Sequence, residues 1–197
     1  MSDDAPRRGS IPPAWFEAEY ARDPDPWRFA TSEYERAKYA DTLAALDPRR
    51  FESAFEVGCS IGVLTTQLAP RCDRLLAVDV AEAALARARQ ACAGWPNVGF
   101  ARMRVPDQWP EGQFDLILLS EVLYYLDSTE IDRAATSVLR TLKPGGVALL
   151  VHWTGPTDYP CSGDETAERF IAATAGTLKP VSQVRRAKYR LDRLDRG

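Results

Sequence analysis

The chain carries a single histidine, His152, so a site built on several histidines is excluded. Its four cysteines, Cys59, Cys72, Cys92 and Cys161, are widely spaced and form neither a CxxC pair nor a zinc pattern. No metal site is expected, and the cysteines read as reduced and structural. No apolar run is long enough to span a bilayer. The longest, Val147, Ala148, Leu149, Leu150 and Val151, has the length of a core strand. The opening residues, Met1 to Pro6, lack the apolar core of a signal peptide. A cytoplasmic protein with no membrane partner is expected. Long basic runs are also missing and the net charge is −3, which argues against nucleic acid as the main partner. The one short basic cluster, Arg185, Arg186 and Lys188, reads as a solvated strand edge.

What is present is 197 residues, 45% of them hydrophobic and 27% charged, the composition of one soluble globular domain with a full core. Residues 1–13 are polar and proline-bearing and read as a disordered tail. Residues 14–197 form the single domain, with 14–50 as an N-terminal helical lid. Within that lid, residues 14–21 form a short helix and Asp23, Pro24, Asp25, Pro26 and Trp27 a rigid extended turn. Thr31 or Ser32 then caps a helix to about Leu46. Ser32 and Glu35 have capping-box spacing, and Asp47-Pro48 ends the helix.

From Phe51 onward strands and helices alternate. Strands are predicted at 53–57, 74–79, 98–103, 114–120 and 147–153. The intervening helices fall at 62–68, 81–92 and from a Ser128 or Thr129 cap to 142. Lys143, Pro144, Gly145 and Gly146 read as a tight turn. A helix at 164–177 and strands at 181–186 and 189–194 follow, the last two joined through Ala187-Lys188 as an antiparallel hairpin. Alternation of this kind predicts an α/β fold, a Rossmann-like three-layer sandwich around a mostly parallel sheet.

In such a sheet ligands bind at the carboxyl ends of the strands, where strand order reverses. The stretch from Ala54 to Gly62 (AFEVGCSIG) reads as a buried strand ending in a carboxylate, then a glycine turn into a helix. Such a turn lets backbone approach a ligand and offers unpaired N–H groups. Asp79, at the end of the next strand, is placed to accept both hydroxyls of a ribose; alternatively it caps the following helix. Together with the turn, the ribose role is preferred. The dinucleotide fingerprint is absent, because from Gly58 its second and third glycine positions hold Ser60 and Val63. Glu56, two residues before Gly58, would repel a pyrophosphate and suits a cationic ligand.

Glu56-x-Gly58-x-Ser60-x-Gly62, Asp79, the strand Phe114-Asp115-Leu116-Ile117 and the turn after Leu142 resemble the signatures of class I S-adenosylmethionine-dependent methyltransferases. The resemblance runs from about Phe51 to the C-terminus. It implies S-adenosyl-L-methionine as cofactor and a seven-stranded sheet with one antiparallel strand near the C-terminus. Ser60 stands where a middle glycine is usual. Arg104 stands near where an acid often approaches the adenine; Asp107, or backbone around Met103, would take that role. A closer resemblance, to the nodulation protein S family, lies in Asp25-Pro26-Trp27-Arg28, in Tyr34-Glu35-Arg36 and in the run from Ser120 to Leu126 (SEVLYYL). That family N-methylates the free amine of a deacetylated chitooligosaccharide in Nod-factor synthesis.

The cofactor set expected on these grounds is Trp27, Arg36, Glu56, Gly58, Cys59, Ser60, Gly62, Asp79, Val80, Met103, Arg104 and Ser120. Arg36 is the candidate for the cofactor's carboxylate, against surface pairing with Glu33 or Glu35. Trp27 packs on the cofactor or substrate entrance, or anchors the N-terminal segment. Glu121, following the fourth strand, would orient an amine, against helix capping or surface placement. Tyr124 and Tyr125 would line the acceptor pocket, one of them given to core packing instead. His152 would be a base, against a structural histidine. Glu121, His152 and Tyr124 form the catalytic set, and Glu121, Tyr124 and Tyr125 the substrate set. The short segment from 153 to 164 leaves no room for a large substrate cap. A fairly open cleft for a small-molecule or oligosaccharide acceptor follows, roofed by the N-terminal segment and residues 155–163. Competing readings are a small-molecule O-methyltransferase, a nucleotide-binding oxidoreductase and a non-catalytic cofactor-binding module. Oligomeric state is not legible.

Overall fold

A computed structural model of the chain describes residues 9–46 and 48–197. Two helices, α1 (Pro13–Arg22) and α2 (Glu33–Ala44), precede the sheet. Then come β1 (Ala54–Val57), α3 (Val63–Leu68), β2 (Leu75–Asp79), α4 (Glu82–Ala91), β3 (Val98–Arg102) and β4 (Phe114–Ser120). The chain continues through α5 (Ser128–Thr141), β5 (Leu142–Trp153), α6 (Gly163–Thr174), β6 (Leu178–Arg185) and β7 (Tyr189–Arg196). The sheet has seven strands in the order β3-β2-β1-β4-β5-β7-β6. β7 runs antiparallel to both its neighbours and every other pairing is parallel. This is the doubly wound sandwich that the alternation implies.

Continuous apolar runs build the central strands because both faces are covered. In β4, Leu116 and Leu118 face one core cluster and Ile117 and Leu119 face the other. In β5, Val147, Leu149 and Val151 share the first face, while Ala148 and Leu150 share the second. The first face packs Leu46 and Tyr39 from the α2 region and Leu64 and Leu68 of α3. The second takes Ile131, Ala134 and Val138 of α5 and Phe170 of α6. Truncating a fully buried leucine such as Leu118 removes its transfer energy and leaves a void, a cost of about 2–5 kcal/mol.

Several local expectations are corrected. Residues 9–13 are ordered rather than part of a loose tail. Ile11 is buried, and its N–H donates to the Tyr125 carbonyl at 2.8 Å. Residues 1–8 and Asp47, to which the tail and a helix stop were assigned, lie outside the described residues. Ser32 caps α2, accepting from the Glu35 N–H at 3.4 Å. The reciprocal half of that capping box is missing, because the Glu35 carboxylate turns inward to Lys38. A complete box instead opens α6, between Ser162 and Glu165. Asp127, not Ser128 or Thr129, caps α5. Residues 143–146 do not form a separate tight turn. They belong to β5, where the β4 partner register jumps from Leu142 to Val147 and Gly145 takes φ 71°.

Candidate functional site

The chain runs outward from β1 to β2 and β3 on one side and then crosses back to β4 on the other, so strand order reverses at β1. A crevice opens there, with an empty volume of about 1020 Å³. Its floor is the turn after β1. Gly58 and Gly62 have φ of 73° and 82°, and Ser60 has φ 51°. A Cβ on Gly62 would meet the Ala88 Cα at 2.9 Å, so this glycine lets α3 pack against α4. Gly62 is buried beneath the turn rather than on the crevice wall. Ser60 adopts the left-handed conformation that the missing glycine would take freely. Its N–H donates to Asp79 Oδ2 at 2.9 Å, and its hydroxyl is paired with that of Tyr20.

Asp79 thus fastens the turn. Oδ1 accepts from the Ala81 N–H at 2.9 Å, so both oxygens are anchored by backbone donors. This is an Asx-type anchor before α4; α4's own cap residue is Ala81. A carboxylate oxygen has two lone pairs, so each retains capacity for a ligand hydroxyl. Burial pushes the Asp79 carboxyl up, and the backbone donors of Ala81 and Ser60 act against it.

Glu56 also lines the crevice, and it is 2% exposed. Its Oε2 is buried without a hydrogen-bond partner. Burial pushes its carboxyl up to about 7; the neighbouring Thr65 hydroxyl acts against this and the charge of Asp79 adds to it. A buried carboxylate with one oxygen unpartnered is costly when ionised, and a cation in the crevice would offset that cost.

Cys59, Ser60, Val80 and Met103 lie on the crevice wall, as do Arg104, Ser120 and Trp27. Burial pushes the Cys59 thiol up, so it is an apolar wall element and not a nucleophile. Arg104 is tied to Asp107 and to Glu130, the latter at 2.6 Å, and Asp107 also pairs with Arg133 at 2.9 Å. Asp107 is therefore committed to arginines. Arg36 is not at the site: its side chain is 58% exposed and faces Glu33 at 3.6 Å. The surface pairing holds for Arg36, and the assignment to a cofactor carboxylate is withdrawn.

At the β4 end, Glu121 lines the crevice with φ 57°, an uncommon backbone state for a residue with a side chain. Its Oε1 accepts from Lys38 Nζ at 2.7 Å. Its Oε2 accepts from the Trp153 N–H at 3.1 Å and from the Tyr124 hydroxyl. Lys38 also meets Glu35 at 3.0 Å and is 2% exposed. Stripping one partner from a buried pair of this kind leaves a stranded charge, at about 3–5 kcal/mol.

Tyr125 lines the crevice, whereas Tyr124 is buried behind it and reaches the site only through Glu121. His152 is fully buried, packs on the Tyr124 ring at 5.6 Å and does not line the crevice. Neither ring nitrogen has a hydrogen-bond partner, and burial lowers its pKa to about 4. His152 has no route to a substrate proton, so its role as a base is withdrawn in favour of the structural alternative.

The N-terminal segment supplies the outer wall through Ile11, Pro13, Phe16 and Tyr20. Residues 155–163 do not line the crevice. Tyr159 from that loop instead packs on Tyr124, Tyr125 and Trp15, with ring centroids at 5.3, 4.7 and 6.5 Å. Sequence reading missed Lys38 and Tyr20. Lys38 sits three residues after Glu35, a spacing that reads as an ordinary surface pair on a helix. No cluster of three or more metal-ligating side chains occurs among the described residues. No helix among them is long and apolar enough to cross a membrane.

The chain was compared with known proteins. Nodulation protein S of Bradyrhizobium diazoefficiens is 40% identical over 133 residues, covering 66% of this chain and 62% of that protein. The chain spans between about half and two thirds of the length of curated nodulation protein S relatives that it matches. Among solved structures, N-methyltransferase NodS from Bradyrhizobium japonicum WM9, in complex with S-adenosyl-L-homocysteine, superposes with a TM-score of 0.79. It is 27% identical, with 93% of this chain and 97% of that one covered. A methyltransferase-like protein from Pseudomonas syringae gives a TM-score of 0.73 at 36% identity, covering 84% of this chain and all of that one. The family profile of nodulation protein S (NodS) matches residues 16–153, which include β1, the glycine turn, Asp79, Glu121 and Lys38. With a seven-stranded class I methyltransferase sheet and that match over more than half its length, the chain belongs to the nodulation protein S family.

Proposed function

We propose that this protein is an S-adenosyl-L-methionine-dependent methyltransferase that N-methylates an amine on an amino-sugar or chitooligosaccharide-like acceptor. The observation that carries the reading is one crevice holding two buried carboxylates of different kinds. Glu56 presents an unpartnered oxygen suited to a cation, and Asp79 presents anchored oxygens with spare lone pairs. When bound, S-adenosyl-L-methionine supplies a methyl group already activated on a sulfonium and leaves as S-adenosyl-L-homocysteine. Glu56 would hold its ammonium and Asp79 its ribose hydroxyls. The turn at Gly58 and Ser60 gives close backbone approach, and Val80 and Met103 would flank the adenine.

Catalysis then falls to positioning. Glu121 is held by three donors and faces the crevice, so it can accept an N–H of an incoming amine and orient its lone pair. Ser120 and Tyr125 border the same end. Trp15, Tyr125 and Tyr159 form an aromatic group beside it, of the type that stacks on sugar faces. An amine of near-neutral pKa needs no strong base, which agrees with a crevice that His152 does not reach. The relatives named nodulation protein S support a Nod-factor-type role, with the cytoplasm as its setting.

A methyl-transfer assay against glucosamine oligomers, other amines and phenols tests the reading. Transfer to glucosamine amines is expected. Transfer confined to phenols would replace N- by O-methylation, and stabilisation by NAD but not by S-adenosylhomocysteine in a thermal-shift assay would sink the cofactor assignment.

A further inference from the structure

Lys38 is the one lysine buried to 2% exposure, and it lies behind the crevice wall rather than on it. It bridges Glu35 at 3.0 Å and Glu121 at 2.7 Å. With both carboxylates ionised, the group holds one negative charge in excess of the ammonium; burial pushes the Glu35 carboxyl up, and Lys38 acts against this. Glu121 is the member that faces the crevice, and the Trp153 N–H and Tyr124 hydroxyl occupy its other oxygen. Four acceptor positions less three donors leave one free, on Oε1.

Resting on the N-methyltransferase reading, we propose that Lys38 is a positioning residue for the acceptor. It holds the Glu121 carboxylate aimed, while Glu35 adds the second carboxylate that makes this end of the crevice selective for a cationic amine over a neutral amide. Charge also moves in the favourable direction during the reaction. The bound ammonium first gives one proton to solvent and so frees its lone pair; as that pair forms the N–C bond, the S–C bonding pair goes to sulfur and positive charge returns to nitrogen, next to this group. The nitrogen later gives a proton to solvent. A fixed negative charge at that place stabilises the developing cation.

The Glu121 carboxylate is in contact with Lys38 of α2, the Tyr124 hydroxyl and the Trp153 N–H, and Glu35 reaches it through Lys38. Lys38 is the only cation among them in contact with the carboxylate. Its loss should therefore leave the Glu121 carboxylate without the contact that aims it.

In a Lys38→Met variant, KM for glucosamine should rise by about tenfold or more with a smaller change in kcat, the size of one lost charge-assisted contact. Lys38→Arg, which keeps the charge, should return it towards wild type. S-adenosylhomocysteine affinity by calorimetry should hold in both. In a separate calorimetric arm with S-adenosylhomocysteine present, wild type should bind glucosamine about tenfold or more tightly than N-acetylglucosamine. Glu35→Gln should erase most of that preference. This arm carries the test if Lys38→Met does not fold. A folded Lys38→Met with a wild-type KM for glucosamine, or equal binding of the two sugars, overturns the proposal. Preference for glucosamine without methyl transfer to any amine would instead sink the functional reading and leave the charge group standing.

Discussion

Glu56 makes the most demanding prediction, because its carboxyl is pushed up to about 7 by burial and has an oxygen with no partner. Near pH 7 about half the molecules then carry a proton on it. An ammonium brought against the group would lower its pKa by about 1–3 units, the range for an opposite charge at contact. Binding of S-adenosylhomocysteine at pH 7 should therefore release about half a proton per site, and less by pH 8, where Glu56 is already largely ionised. Calorimetric titrations in buffers of different ionisation enthalpy read this directly. Glu56→Gln should bind more weakly and lose the buffer dependence assigned to this group, which also subtracts any titration of the ligand's own amine. The same raised pKa fixes a stability trend. The folded state favours the protonated acid, so the group's contribution is fully present below about pH 4.5 and is lost as pH rises through about 7. Glu56→Gln should accordingly gain on wild type in melting temperature above pH 7. A wild type whose binding enthalpy is the same in every buffer refutes the placing of an ammonium against Glu56.

Asp79→Asn keeps the shape but sets an amide NH2 against a backbone N–H, either that of Ser60 or that of Ala81. Loss of one charge-assisted hydrogen bond, at about 1.5–3 kcal/mol, should weaken S-adenosylhomocysteine by about 10- to 100-fold; unchanged affinity in calorimetry counts against the ribose role. Glu121→Gln should lower kcat for amine transfer far more than it weakens S-adenosylhomocysteine, and equal losses in kinetics and calorimetry would move Glu121 off the acceptor side. His152, whose pKa falls to about 4 on burial, contributes stability present above about pH 6.5 and lost as pH falls towards about 4. Thermal melts of His152→Leu should show a flatter acid slope than wild type while methyl transfer is reduced but not abolished; abolished transfer in a folded variant would restore the base.

The cofactor end of the site was legible from sequence because local rules build it. A strand, a glycine turn and an acid at the end of the next strand are each read from neighbours a few residues apart. Glu56, Gly58, Ser60 and Asp79 converge because β1 and β2 are adjacent parallel strands in register, Glu56 opposite Ala77 and Val57 opposite Val78. The acceptor end was legible only in part. The place of Glu121 on the crevice was legible because it follows a strong strand. Arg36 was misplaced because helix periodicity says which residues share a face, not which face meets the sheet. Arg36 and Lys38, two residues apart on α2, point to solvent and core respectively.

The sequence alone determined the alternation of strands and helices, the sheet's parallel character, the ligand turn and the family likeness, because periodicity, glycine spacing and chain-local acids act at short range. Tertiary structure decided the charges. Whether a carboxylate is free, paired or orphaned depends on what folding brings beside it and on how much water it leaves there. Only packing put Lys38 against Glu121 across 83 residues, left Glu56 without a partner and sealed His152 away from the crevice.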